Sequence, residues 1–499
     1  MENVLNIIKD KTLTFEQKVL QLAREAENSI NVLNISSEAK EFMNKGIICD
    51  LFEGNAPYRP RYILPDYKKF MENGSKFFGL KPAESLLEAV NNLLILYKHV
   101  PSITSFPVYL GEIDKLLEPY AADEDEEYVL SIIKLFLTHI DKTLTDSFVH
   151  ANIGPEATKV GRAILVAERE LRNAVPNLTL KYSKDTPRDF AIEAVRTGLE
   201  VSKPYFANHK MFQKDFDGRY GIASCYNGLP IGGGSYTLVR LNLKRLARIS
   251  SGIDDFLNKV IPYAVKLMTE VMDERIKFLV EESNFFESSF LVDEGLILKD
   301  RFTAMFGIFG LAECVNILLN AVDKIEKYGH SKKANNLGIE IIEKIKKEVN
   351  NYHNQYCKIT KGKFLLHAQS GISSDIDVSP GCRIPIGDEP EIYEHILQAS
   401  MFHKYFPSGI SDIFTFDSTA KNNPEYVLNI IDGAMESGLR MFSFYCSDSD
   451  LIRITGYLVK KSDMDRLKKG YQVLQDTVSL GLEAVEKQNL LNRKVRRYD

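Results

Sequence analysis

Arg453-Ile454-Thr455-Gly456-Tyr457 sits inside an apolar run, Ile452 to Val459, near the end of a 499-residue chain. Read locally, the run is a strand, and Gly456 is a bulge or a point where another backbone comes close. A second strand-like segment, Arg440 to Phe444, precedes it. Ser462 and Asp465 follow as a capping box, predicting a helix that continues to about Leu490. Further strand-like segments are Leu178 to Tyr182, Thr237 to Leu243 and Phe364 to Ala368. Helical spacing appears after the Thr14/Gln17 capping box, from Ile261 to Leu279, and from Leu337 to Val349. This alternation predicts an α/β core, with a helical N-terminal layer over residues 1–125.

Composition narrows the class. With 44% hydrophobic and 26% charged residues, the chain reads as an ordinary soluble globular protein. A net charge of −5 gives no reason to expect nucleic acid or an anionic membrane surface. The acidic run Asp123 to Glu127 reads as a solvated helix start, and the basic end, Arg493 to Arg497, as a solvated terminus. Phe302 to Val322 is the most apolar stretch, but Glu313 interrupts it and Gly307 and Gly310 punctuate it, so a buried core segment is expected. The first residues do not make a signal peptide, and a cytoplasmic protein is expected.

Six scattered cysteines, Cys49, Cys225, Cys314, Cys357, Cys382 and Cys446, form no CxxC pair. A disulfide framework, a zinc ribbon and an iron–sulfur site are therefore not expected, and any cysteine chemistry must use a single thiol. Cys225 has the most telling surroundings: Ser224, Asn227 and Gly228 adjoin it, and Gly232-Gly233-Gly234 leads into a strand. A P-loop reading fails because no Lys-Ser or Lys-Thr follows the glycines.

The string Arg453 to Tyr457 resembles the glycyl-radical signature of pyruvate formate-lyase, the glycyl-radical dehydratases and anaerobic ribonucleotide reductase. The loop around Cys225 resembles the cysteine loop of the same superfamily. Pro176 to Tyr182, Thr186-Pro187, Lys203-Pro204-Tyr205-Phe206 with Asn208, and Phe306 to Leu311 with Glu313 extend the likeness over residues 130 to 499. In length and wording the chain is most similar to the YjjI family of glycyl-radical proteins.

The resemblance implies a ten-stranded barrel of two antiparallel five-strand halves over residues 126–499, surrounded by helices. It implies a stored radical on Gly456 and a thiyl on Cys225. Glycine suits such a radical because the Cα must flatten for the amide nitrogen and carbonyl to share the electron, and a side chain would clash. A separate radical-SAM activase with its own iron–sulfur cluster is implied, as are anaerobic work, a small-molecule substrate and a homodimer. No metal or bound organic cofactor belongs to this chain on that reading.

The reaction is less legible. Pyruvate formate-lyase has two adjacent cysteines, whereas Ser224 precedes Cys225 here. Glycyl-radical dehydratases and decarboxylases place a Glu two residues after the cysteine, where this chain has Asn227, which is no base. Cleavage or elimination of a C–C, C–O or C–N bond is expected. Nucleotide reduction and a non-catalytic, radical-bearing spare part are the alternatives.

Asp146 to Pro155 reads either as a capped turn between helices or as a pocket wall. On the second reading Asp146 or His150 supplies an acid or base, beside Asn152. Asn227 and His367 are further substrate-binding candidates, although His367 reads more simply as a satisfied core histidine. Arg383, in a Pro/Gly-rich loop with Cys382 and Asp388, reads either as an anion-binding group or, more simply, as half of a structural salt bridge.

Overall fold

The computed structural model describes residues 2–100, 108–368 and 377–497. Ten strands carry the architecture: β1 (Tyr62–Leu64), β2 (Tyr109–Glu112), β3 (His150–Ile153), β4 (Asn177–Tyr182), β5 (Tyr205–Asn208), β6 (Gly233–Asn242), β7 (Phe302–Phe309), β8 (Leu365–Ala368), β9 (Asp412–Phe416) and β10 (Met441–Cys446). Strands β2 to β5 pair in parallel with one another. So do β6, β7 and β8, and so do β9 and β10.

Two antiparallel seams join the runs. Ala207 and Phe206 of β5 face Met441 and Phe442 of β10, and Tyr62 to Leu64 of β1 face Ser235 to Gly233 of β6. Elsewhere the order is bridged locally. Ala368 N donates to Gly409 O at 3.0 Å between β8 and β9. Leu64 and Tyr109 close together on Gly221, where an added Cβ would lie 2.9 Å from Leu64 Cδ2 and 2.5 Å from Tyr109 Cζ. The order is that of two five-strand halves running oppositely. Counted by backbone ladders alone, the strands form a seven-stranded and a five-stranded sheet, each extended by a short strand, Val495–Arg496 and Ile48–Cys49 respectively.

The strands alternate with period two, but the polar set faces inward. In β4, Asn177, Thr179 and Lys181 reach toward the middle, whereas Leu178 and Leu180 belong to the main apolar core with Ala151 and Ile153 of β3. Helices pack outside. They include α1 (Phe15–Glu27), with its Thr14/Gln17 capping box in place, α2 (Ile261–Lys277) and α3 (Lys332–Asn351).

Several expectations are corrected. Residues 1–125 contribute β1 and β2 as well as helices. The stretch Asp146 to Pro155 is not a turn between helices, because it contains β3. The tail is two helices, Lys461–Lys468 and α4 (Thr477–Gln488), parted where Gly470 takes φ +81°. Ser462 does not cap; its Oγ donates to Asp450 Oδ2 at 2.7 Å. Among the described residues, no helix is long and apolar enough to cross a membrane.

Candidate active site

Two hairpins meet inside the ring of strands. One pairs Tyr220–Ala223 with Asn227–Pro230 and carries Ser224-Cys225-Tyr226 at its tip. The other pairs Leu451–Arg453 with Leu458–Lys460 and carries Gly456 in its turn, closed by Ile454 N donating to Tyr457 O at 3.0 Å. A Cβ built on Gly456 would come within 2.7 Å of Cys225 Cα and closer still to its Cβ and Sγ. The Cα and Cβ of Cys225 are fixed by its backbone and cannot rotate away, so position 456 admits no side chain without a shift of the hairpins.

The cysteine hairpin hangs on the inward polar residues. Asn152 holds Ile222 by two bonds of 2.8 Å, and Lys181 Nζ donates to Tyr220 O at 2.8 Å. His150 donates from Nδ1 to Ser224 O and meets Thr179 Oγ1 with Nε2 at 2.7 Å. Ser224 itself is held at φ +59°, a left-handed conformation that costs a non-glycine residue on the order of 1–2 kcal/mol. Asn227 Nδ2 closes the tip onto Ala223 O at 3.0 Å, which leaves its buried Oδ1 without a hydrogen-bond partner. From the far side, Tyr226 donates to Ala368 O at 3.0 Å and stacks on His367, their ring centroids 5.6 Å apart.

The glycine hairpin has its own ties. The Tyr205 hydroxyl reaches Gly456 O and lies 3.1 Å from Asn177 Oδ1. Arg453 lays its guanidinium 3.5 Å over the Tyr205 ring and donates to Ser202 O. Arg493 donates to Arg453 O and Ile454 O, both at 2.9 Å. Phe148 packs on Tyr457 at 4.6 Å.

Burial controls the electrostatics. It pushes the Cys225 thiol up to about 12, with Ser224 and then Arg383 pulling the other way, so the sulfur keeps its hydrogen at neutral pH. Such a thiol is a poor nucleophile but an intact hydrogen-atom donor. Burial lowers His150 to about 3, and both ring nitrogens are engaged, so it is a neutral prop for the loop. Among the described residues, no three His, Cys, Asp or Glu side chains gather to hold a metal ion.

Of the residues picked out from sequence, Gly456, Cys225, His150, Asn152, Asn227 and His367 converge here. Asp146 does not: it lines a cavity of about 190 Å³ with Arg24, Phe148 and Asp476, and burial with the neighbouring Asp476 raises its carboxyl. The expectation that His150 and Asn152 wall a pocket is corrected, since Asn152 turns its amide to Ile222 and His150 divides its two ring nitrogens between Ser224 O and Thr179 Oγ1. The simpler reading of Arg383 is not met either, because it forms no ion pair among the described residues. Arg493 and Arg496, expected in solvent, are 7% and 6% exposed. The turn carbonyls of a buried hairpin need donors, and Arg493 supplies two. Tyr205 and Arg453 stood in the quoted motifs without a role. The Lys203-Pro204-Tyr205-Phe206 motif is the signal that marked Tyr205.

A model of the YjjI-like glycyl radical enzymes matches residues 13–496. The chain is 44% identical over 493 residues to the uncharacterized protein YjjI of Escherichia coli K12, covering 98% of this chain and 95% of that one. A Haemophilus influenzae protein is 45% identical over 503 residues, covering 99% and 98%. Among solved structures, one describing 1,2-propanediol dehydration in Roseburia inulinivorans superposes with TM-score 0.71 at 12% identity, over 99% of this chain and 88% of that one. The anaerobic ribonucleotide reductase of Thermotoga maritima with dATP in its specificity site superposes with TM-score 0.69 at 14% identity, over 93% and 90%. At those identities the structures share the fold.

Proposed function

The chain belongs to the YjjI-like glycyl radical enzyme family, and we propose that Gly456 stores its radical and that Cys225 passes it to a small polar metabolite. The Cα radical of Gly456 takes the hydrogen atom of the Cys225 thiol, leaving a glycine C–H and a thiyl. The thiyl then takes hydrogen from a substrate carbon, which regenerates the S–H and leaves a substrate radical. That radical cleaves or eliminates a C–C, C–O or C–N bond; the product radical takes the hydrogen atom of Cys225 back, and the thiyl so formed recovers one from Gly456, restoring the stored radical. A separate radical-SAM activase installs the first radical, under anaerobic conditions in the cytoplasm, on a protein that works as a homodimer.

The approach of position 456 to Cys225 carries this reading. Hydrogen-atom transfer needs near-contact between donor and acceptor, and among the described residues no other glycine has an added Cβ meeting a cysteine in this way. His150, Asn152 and Lys181 act as positioning residues for the thiol; Tyr205 and Arg493 do so for the glycine. The test is electron paramagnetic resonance after anaerobic co-expression with candidate activases. A doublet that disappears in Gly456→Ala, with air cutting the chain at residue 456, supports the assignment. A doublet that persists in Gly456→Ala places the radical elsewhere.

A further inference from the structure

Three guanidinium groups are buried around the two hairpins: Arg383, Arg453 and Arg493, at 7%, 1% and 7% exposure. None of the three forms an ion pair with a carboxylate among the described residues. Arg493 spends its donors on the glycine hairpin, and Arg453 is stacked flat on Tyr205. Arg383 is different. Its Nε is fixed to Ser411 O at 2.7 Å, which orients the planar head, and both Nη atoms are buried with no hydrogen-bond partner among the described residues. Its Cζ lies 5.8 Å from the ring of Tyr226, the residue next to Cys225. Asp412 is near enough to feel Arg383, but its carboxylate is turned to His395 at 3.1 Å.

A buried cation that lacks a counter-ion is costly, and three together are worse; burial, with repulsion from Arg493 and Arg383 added, lowers Arg453 to about 10. A fork anchored at Nε with two free Nη donors matches the two oxygens of a carboxylate or phosphate.

We propose that Arg383 is the substrate anchor, binding a carboxylate or phosphate group of a small metabolite whose reacting carbon is presented to Cys225. This rests on Cys225 being the residue that meets the substrate. It narrows the substrate class from polar to anionic. It also orders the substrate: the anion docks on Arg383, and the carbon chain extends toward the thiol.

The experiment uses radical-free protein under anaerobic conditions and calorimetric titration with matched pairs: lactate against 1,2-propanediol, and glycerol 3-phosphate against glycerol. At least one anionic member should bind wild type more tightly than its neutral partner. Arg383→Gln should weaken that binding about 10- to 100-fold, with Arg383→Lys intermediate because it keeps the charge and loses the fork. Lactate and glycerol 3-phosphate distinguish a carboxylate from a phosphate subsite. Equal binding of neutral and anionic members, no binding of either anion, or undiminished binding in Arg383→Gln overturns the proposal. Should Arg383→Gln fail to fold, Arg383→Lys carries the comparison. The Gly456 doublet, measured in the same variants, separates the two readings: with the doublet intact and anion binding absent, only the anchor is refuted.

Discussion

Asn152 Nδ2 donates to Ile222 O at 2.8 Å, and Ile222 N donates back to Asn152 Oδ1 at 2.8 Å. One amide side chain thus occupies both backbone groups of a residue three places before Cys225. Asn152→Ala leaves two buried backbone groups unpaired, at about 1–3 kcal/mol each. Denaturant unfolding should show a loss of that order, and turnover should fall while the radical still forms. A variant within about 0.5 kcal/mol of wild type, the range of neutral surface changes, would mean that the hairpin does not depend on this pair.

The approach of Gly456 to Cys225 predicts an exchange experiment. The thiol hydrogen exchanges with solvent, so activated enzyme in deuterated water should replace the Gly456 Cα hydrogen, and the doublet should collapse toward a singlet. Cys225→Ser should keep the doublet in deuterated water and lose turnover. Exchange that continues in the serine variant would show that another group reaches the glycine.

Arg493 contributes two charged hydrogen bonds to the carbonyls of Arg453 and Ile454. Arg493→Met removes both, about 1.5–3 kcal/mol each. Hydrogen exchange at residues 453 to 458 should accelerate, and the radical should decay faster, whereas exchange at 220 to 230 should not change. Equal acceleration in both hairpins would mark the effect as general destabilisation.

Stability should depend on pH through buried histidines. Burial lowers His150 and His403 to about 3, and an unfolded histidine titrates near 6.5. Their contribution is therefore fully present above about pH 6.5 and is lost as pH falls through that value toward 3, at about 1.4 kcal/mol per pH unit for each ring. Asp114 works in the opposite sense. Burial raises it to about 7, so its contribution is present below its unfolded value and is lost as pH rises through about 7. Unfolding midpoints at pH 7.5 and 5.5 should then drop more steeply with acid in Asp114→Asn than in wild type. A shallower drop in the variant would contradict these assignments.

What the sequence made legible were the residues that chemistry restricts. Gly456 and Cys225 stood out through the motifs around them, and the structure brings the two together; Leu178 to Tyr182 reads as a strand from local alternation alone. The supports were not legible. Tyr205 and Gly456 are 251 positions apart, and nothing local to either points to the other. Arg493 looked like a solvated terminus because a short basic run says nothing about the buried carbonyls awaiting it. Ser462 matched a capping box, yet Asp450 claimed its hydroxyl.

The hooks from Asn152, His150 and Lys181 to the cysteine hairpin all join residues numbered below 231. A ribosome working from the amino end therefore makes these three hooks before Ala368 and His367, which meet Tyr226 from the other side. The glycine is delivered last, into a socket whose floor is already laid, and the final residues after it supply the arginine that fastens it.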